Sequence, residues 1–167
     1  MIFKIYKYGS PILRNRCKIV NSISSDIKQL ADDMINTMYE NDGIGLSANQ
    51  VGFDLSLSII GKHALESEND LIIINPKIIE YSDEKTIEEE GCLSIPDIRE
   101  KVIRSKDIVL EYQDLNLKTI TRTFVDLPAR VIQHETDHLN GVFFTDRLSF
   151  VKKKLLNKKL NRIAKES

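Results

Sequence analysis

Apolar side chains between Ile27 and Met38 recur every three or four residues. This spacing places them on one face of an α-helix, the arrangement of a helix packed on a core. A hydroxyl at Ser24 or Ser25 can accept a hydrogen bond from an amide of the first turn that would otherwise have no partner. The pattern therefore predicts a first long helix over Ser24–Asn41.

Segments with the composition of β-strands fill the middle of the chain. They are rich in β-branched residues or form short apolar runs. We expect Asn75-Pro76 to close the second strand, and Asp114-Leu115-Asn116 to turn a hairpin between the last two. The predicted strands cover Leu55–Ile60, Leu71–Ile74, Ile108–Tyr112 and Thr119–Val125.

Two further helices are expected near the end of the chain. The first runs from about Leu127 to Asn140, with Asp126 as its N-cap, Pro128 in the tolerant first turn and Gly141 as its stop. The second runs from Ser149 to about Lys165 and combines many lysines with a partial apolar stripe. Helices together with mainly hairpin-linked strands predict an α+β fold.

Composition narrows the class of protein. A chain of 167 residues with 41% hydrophobic and 29% charged residues fits one folded domain and excludes a disordered chain. The formal net charge of −1 argues against a general nucleic-acid binder, and no specific DNA partner is expected. The charge is nevertheless segregated, because residues 147–167 contain eight Lys or Arg and one Glu.

Cysteine content and hydropathy favour a cytoplasmic protein without a membrane partner. Cys17 and Cys92 are too few for a disulfide framework. The N-terminal residues have no long apolar core, so no signal peptide is expected. The longest purely apolar run, Leu71–Ile74, is far shorter than a membrane span.

The strongest chemical signal is the sequence His134-Glu135-Thr136-Asp137-His138. Two histidines four residues apart lie on one face of a helix, so both imidazoles can reach one metal ion. Glu135, beside the first ligand, can take a proton from a water at that ion. The alternative is an exposed amphipathic helix that carries two histidines by chance.

A third metal ligand has to come from upstream. Position 144, where one large class of metalloproteases has a third histidine, is Phe144, and the only later glutamate is Glu166. Cys17 fits a buried apolar position better, and His63 fits a solvated loop over residues 61–70. Cys92 follows a glycine that permits close backbone approach, and with two histidines it would complete a three-ligand site.

Another candidate segment covers Gly43–Gln50. Its two glycines allow a substrate backbone to come close, and the side-chain amide of Gln50 can donate to a developing oxyanion. The alternative for this segment is a helix end followed by a turn.

Three segments together resemble the signature motifs of the peptide deformylase family, in the family's order. They are GIGLSANQ at 43–50, EGCLS at 90–94 and QHETDHLNG at 133–141. The resemblance implies one catalytic domain over residues 1–167, with mostly antiparallel sheets around a central helix that carries H-E-x-x-H and with helices near both ends. It implies a hydrolase that removes the N-formyl group from the formyl-methionine of nascent polypeptides and releases formate.

The resemblance also implies a cofactor and its ligands. One divalent ion would be bound, natively Fe(II), with Zn, Ni or Co as alternatives. Its ligands would be Cys92, His134 and His138.

Catalytic and substrate-binding roles follow from the same resemblance. Glu135 would be the general base and acid, and Gln50 with the backbone N–H of Leu93 would hold the formyl oxygen. The remaining matched positions would bind the substrate: Ile44, Gly45, Glu90, Gly91, Arg99, Leu127, Arg130 and Val131.

Three positions depart from the family's common pattern. Ser47 stands where members usually have the first of two alanines, Glu88 stands where some members have an aliphatic residue, and Pro128 stands in place of a common leucine. We expect the chemistry to survive all three, whereas Glu88 changes the polarity expected near the substrate pocket.

The basic C-terminal segment predicts a docking element. Deformylases act on chains that emerge from ribosomes, and the resemblance therefore implies the ribosome as a partner of this segment. The alternative is a solvated helix face. For the whole chain, the alternatives are a metal endopeptidase, which would cleave unformylated peptides, and a catalytically silent metal-binding or ribosome-binding module.

Overall fold

The computed structural model describes residues 1–166. The helices in this range are α1 (Ser25–Glu40), α2 (Lys62–Leu65), α3 (Asp126–Leu139) and α4 (Phe150–Glu166). The strands are β1 (Gly45–Ser47), β2 (Leu57–Ile60), β3 (Leu71–Tyr81), β4 (Lys85–Cys92), β5 (Ile95–Ser105), β6 (Asp107–Gln113) and β7 (Thr119–Val125). Short 3-10 helices cover Pro11–Arg14, Ala48–Val51 and Phe144–Arg147.

The strands form two antiparallel sheets. The larger sheet has the order β1-β2-β3-β6-β7, and β4 and β5 form a separate hairpin. Helix α3 packs on the larger sheet through Ala129 and Ile132, and it also contacts β5. The predicted α+β fold with a central H-E-x-x-H helix is confirmed, and α3 therefore lies where both sheets can supply residues to its polar face.

The helix boundaries agree with the sequence predictions except at one cap. The Ser24 hydroxyl accepts from the N–H of Ile27 and caps α1 as expected. The prediction that Asp126 caps α3 is wrong, since Val125 is the N-cap. Asp126 is instead the first helical residue, with a φ of 56°, and its N–H donates to the carbonyl of Lys106. This bond ties the start of α3 to the residue that joins β5 to β6.

The predicted strands exist, but the sequence patterns missed much of the sheet structure. Asn75-Pro76 does not close its strand, because β3 continues to Tyr81 through a bulge between Ile74 and Lys77. A bulge takes a proline, which has no N–H to donate, out of the hydrogen-bond ladder. Strands β4 and β5 were not predicted, because charged residues interrupt their alternation.

Two connections differ in how well the sequence predicted them. The hairpin turn between β6 and β7 is confirmed, with Asp114 Oδ1 accepting from the N–H groups of Asn116 and Lys118. The loop expected over residues 61–70 contains the short helix α2 instead. His63 lies on α2, exposed and in edge contact with Tyr39.

Helix α4 is anchored by a small apolar layer. Leu156 and Leu160 are buried in a cluster that includes Phe143 and Phe144. The ring of Phe144 stacks on His134, and that of Phe143 meets the edge of His138. Helix α4 therefore supports the two histidines of H-E-x-x-H through Phe143 and Phe144. No helix within residues 1–166 is long and apolar enough to cross a membrane.

Candidate active site

Three side chains converge at the polar face of α3. His138 Nε2 lies 3.2 Å from His134 Nε2 and 3.2 Å from Cys92 Sγ. The three donor atoms all lie within 4.8 Å of one another, and within residues 1–166 they are the one cluster of this kind. One thiolate and two imidazoles form a donor set that suits a divalent transition metal. The residues therefore fit the ion that the sequence motif implies.

The carboxylate of Glu90 holds His134 from behind. Glu90 Oε2 lies 3.0 Å from His134 Nδ1, which leaves Nε2 directed at the other ligands. Such a partner fixes the ring orientation of a metal-binding histidine. Burial raises the pKa of Glu90, but hydrogen bonds from His134 and Arg104 outweigh burial and hold that pKa far below its usual value.

Two buried arginines in turn hold Glu90. Arg104 donates to both carboxylate oxygens of Glu90 at 2.6 and 2.9 Å, and to Asp137 at 2.8 Å. Arg130 donates to Glu90 at 2.8 Å and to the backbone of Thr86 and Val102. Because Asp137 also lies on α3, this network joins the helix to the β4–β5 hairpin directly behind the ligands.

The ionisation of the two histidines reflects their surroundings. Burial lowers the pKa of His134, but hydrogen bonds to Cys92 and Glu90 outweigh burial and raise that pKa to about 10. Burial and the nearby charge of His134 lower the pKa of His138. The environment of His134 therefore favours a positive charge, which either a proton or a metal ion can supply.

Glu135 is buried beside the ligands and has one anchored oxygen. Its Oε2 accepts from the hydroxyl of Ser47 at 2.7 Å, while Oε1 faces Gly45. Burial raises the pKa of Glu135, and the positive charge of His134 and the bond from Ser47 oppose that rise. The contact with Ser47 fixes the orientation of the carboxylate at the edge of the cleft.

The side-chain amide of Gln50 is oriented by bonds at both ends. Its Oε1 accepts from the N–H of Ser47 at 2.9 Å. Its Nε2 donates to Ser94 Oγ at 3.1 Å and lies 3.6 Å from Cys92 Sγ. The N–H groups of this amide therefore face the metal ligands.

An open cleft of about 620 Å³ joins these groups to solvent. It lies between β1 and the closed end of the β4–β5 hairpin. The sequence-predicted site residues that line it are Ile44, Gly45, Gln50, Glu90, Gly91, Cys92, Leu93, Arg99, Leu127, Arg130, Val131, His134 and Glu135. His138 is not among the residues that line the cleft. It is 1% exposed, and its Nε2 lies in the ligand cluster.

The two competing upstream candidates for a metal ligand lie elsewhere. Cys17 is buried, its N–H donates to the carbonyl of Leu139, and burial raises the pKa of its thiol to about 12. A thiol with so high a pKa is a poor ligand and a poor nucleophile near neutral pH. His63 is exposed on α2.

Comparison with known proteins agrees with this geometry. The family described as polypeptide deformylase matches residues 2–154. The peptide deformylase of Christiangramia forsetii is 40% identical, with 99% of this chain and 91% of the relative aligned. That of Bartonella quintana is 43% identical, with 93% and 89% aligned. This chain belongs to the polypeptide deformylase family.

Solved structures of the family share the fold. A plant peptide deformylase superposes with a TM-score of 0.92 at 35% identity, covering 98% of this chain and 90% of its own. The enzyme of Thermotoga maritima superposes with a TM-score of 0.84 at 38% identity, covering 89% and 99%. As a member of the deformylase family, the chain is a metal-dependent hydrolase that removes the N-formyl group of nascent polypeptides.

Several residues of the deformylase site were not found by sequence reasoning. Arg104 and Asp137 support Glu90, Ser94 orients Gln50, and the Lys7 ammonium donates to the carbonyl of Leu93 at 2.7 Å. Lys7 and Arg104 lie outside the three motif segments. Asp137 and Ser94 lie inside them, but nothing in the sequence pattern indicates which residue each one supports. A charged residue at a sheet position is the one local signal that could have drawn attention to Arg104.

Proposed function

We propose that Cys92, His134 and His138 hold the deformylase metal ion of this chain. The convergence of their donor atoms within 4.8 Å is the observation that carries this proposal. The orientation of His134 by Glu90 supports it. A bound divalent ion supplies Lewis-acid chemistry, which polarises a carbonyl oxygen and lowers the pKa of a water.

Glu135 moves the proton in the proposed reaction. Its Oε1, at the cleft edge beside Gly45, takes a proton from the attacking water and later delivers it to the leaving amine. The bond that breaks joins the formyl carbon to the methionine nitrogen, so the products are formate and a free amino terminus. Gln50 Nε2 and the N–H of Leu93 donate to the formyl oxygen as it gains negative charge.

The formylmethionyl peptide lies in the cleft. Ile44, Gly45 and Gly91 contact its backbone, and Leu127 and Val131 with the apolar stems of their neighbours surround the methionine side chain. Arg99, ion-paired with Glu89 at the mouth, lies beside the following residues. The polar end of Arg130 is bound to Glu90 and Thr86, so its contribution to the pocket is its aliphatic part.

Formate release from formyl-Met-Ala tests these roles. Glu135→Gln keeps the shape of the side chain and removes the base, so turnover should fall by about 100- to 10,000-fold while the metal content stays unchanged. Wild-type turnover in this variant would refute the assigned role. Cleavage of an unformylated internal peptide bond by the wild type would favour the endopeptidase alternative.

The two cysteines provide a matched test of the metal site. Cys92→Ala should lose metal and activity, whereas Cys17→Ala should keep both. Metal content measured on the same anaerobic sample identifies the native ion, which we propose to be Fe(II) because the resemblance to the deformylase family implies it. One thiolate and two imidazoles suit Zn as well, so the donor set alone does not select the ion. Zn, Ni and Co are the alternative outcomes. Equal metal content in both variants would remove Cys92 from the ligand set.

We also propose that residues 1–167 act as one cytoplasmic domain that docks on the ribosome through α4. Two features support this proposal. The substrate of the family is a nascent chain, and α4 is rich in lysine and arginine. Leu156 and Leu160 anchor one face, and cationic side chains cover much of the rest. Lysines bind RNA phosphates by releasing counterions, without reading sequence.

Substitution tests this docking better than truncation, because α4 carries part of the core. Ribosome co-sedimentation should weaken, and its salt dependence should flatten, when Lys153, Lys154 and Lys158 are changed to Gln. The matched control makes the same change at the exposed residues Lys4, Lys28 and Lys118. Equal ribosome binding by both triple variants would show that α4 is a solvated surface and not a docking element.

A further inference from the structure

The hydroxyl of Ser47 lies at the centre of a buried contact chain. Its oxygen is 2.7 Å from Glu135 Oε2 and 2.8 Å from the hydroxyl oxygen of Ser58. Both serines are fully buried. They are directly opposite each other in the antiparallel pairing of β1 and β2, so the sheet register brings them together.

Counting hydrogens fixes the direction of these bonds. The Ser47 oxygen also lies 3.1 Å from the backbone carbonyl oxygen of Glu135. An ionised carboxylate and a carbonyl can only accept, so the single hydrogen of the Ser47 hydroxyl goes to Glu135, and its shorter contact is the one to Oε2. Ser47 then has only its lone pairs to offer Ser58, and the hydrogen between the two serines comes from Ser58. The result is a chain of donors that runs from Ser58 to Ser47 to Glu135.

We propose that Ser47, backed by Ser58, is a positioning residue for the catalytic carboxylate. Anchoring Oε2 stops the carboxylate from rotating and presents Oε1 at the cleft edge beside Gly45. Ser47 stands where members of the family commonly have alanine. Its hydroxyl donates a hydrogen bond to Glu135, which an alanine methyl group cannot do. The inference rests on the proposed role of Glu135 as base.

Kinetics of single and double variants test this inference. Ser47→Ala should lower kcat by about tenfold, because a hydrogen bond to a charged group is lost and the base is less well oriented. KM and metal content should stay at wild-type values, since Ser47 touches neither the peptide nor the ligands. Ser58→Ala should lower kcat by a smaller factor, about twofold.

The double variant distinguishes a chain from two separate effects. If Ser58 acts through Ser47, the Ser47→Ala/Ser58→Ala enzyme should have the kcat of Ser47→Ala alone. The matched control is Ser105→Ala, a buried serine whose hydroxyl instead donates to the carbonyl of Ser82. It should leave both kinetic constants unchanged.

Each outcome decides the question. A wild-type kcat in Ser47→Ala, a change confined to KM, or additive losses in the double variant would overturn the inference. If Ser47→Ala does not fold, an unchanged kcat in Ser58→Ala would overturn it and a reduced one would support it. Glu135→Gln measured in parallel separates the two proposals: full turnover there refutes the role of the base itself.

Discussion

At the scale of single residues, the backbone of β1 approaches the carboxylate of Glu135 more closely than a side chain would allow. A Cβ atom at Gly45 would lie 2.6 Å from Glu135 Oε1 and 2.9 Å from Val131 Cγ1. Both distances are shorter than van der Waals contact, and the anchored carboxylate has little freedom to yield. Glycine is therefore required here for the position of the base.

Gly45→Ala should therefore displace the catalytic group without unfolding the protein. We expect kcat for formate release to fall at least about tenfold, because small errors in the position of a catalytic group are costly. Gly61→Ala is the control, since its added methyl would lie 3.1 Å from the flexible end of Met38 and 3.3 Å from the carbonyl oxygen of Ile44, and would not contact the base. Similar kcat values for the two variants would show that the close approach is unimportant.

At the scale of elements, Arg104 of β5 joins the hairpin to α3. It is 3% exposed and bridges Glu90 and Asp137. Arg104→Met would leave two buried carboxylates short of a partner, at a cost of about 3–5 kcal/mol in the free energy of unfolding. Affinity for the metal should fall about 10- to 100-fold, because Glu90 would hold His134 less firmly.

Urea unfolding of the metal-free protein and a metal titration measure these two effects. The control is Arg99→Met, which breaks the exposed pair with Glu89, whose side chains are 62% and 58% exposed. Exposed pairs contribute at most about 1 kcal/mol. If both variants have the same free energy of unfolding, the buried network does not stabilise the site.

Helix α4 offers a second comparison within one element. Leu160→Ala should cost about 2–5 kcal/mol in the free energy of unfolding, because it opens a cavity in the cluster that contains Phe143 and Phe144. Leu155→Ala, at a side chain 75% exposed, should change it by less than about 0.5 kcal/mol. Equal effects would mean that α4 is not packed as described.

At the scale of the whole molecule, the sequence predicted what depends on neighbouring residues. The period of α1, the H-E-x-x-H face of α3 and the turn at Asp114 are local patterns. Strands β4 and β5 were missed, because their buried positions include charged groups such as Glu90 and Arg104 that pair only in the folded protein. Asp126 was misassigned because its backbone bond to Lys106 is a tertiary contact.

The residues of the candidate site also fall into two groups: those that a local sequence pattern predicts and those that depend on tertiary contacts. The roles proposed for Cys92, His134, His138 and Glu135 came from motifs that can be read along the chain. The partners that orient them, Ser47 with its hydroxyl on Glu135 among them, act across 33 to 88 positions of sequence. Hydrogen bonds over such separations have no periodic signature, so only the folded structure could identify them.

The proposed ligands come from the β4–β5 hairpin and from α3, and the layer beneath them is completed by α4. Cys92 and His138 are 46 positions apart, and Leu160 follows later still. A chain under synthesis therefore lacks a complete ligand set until residue 138 has been added, and lacks its supporting layer until α4 is made. Each new molecule can therefore bind an ion through all three proposed ligands only after residue 138 has been translated.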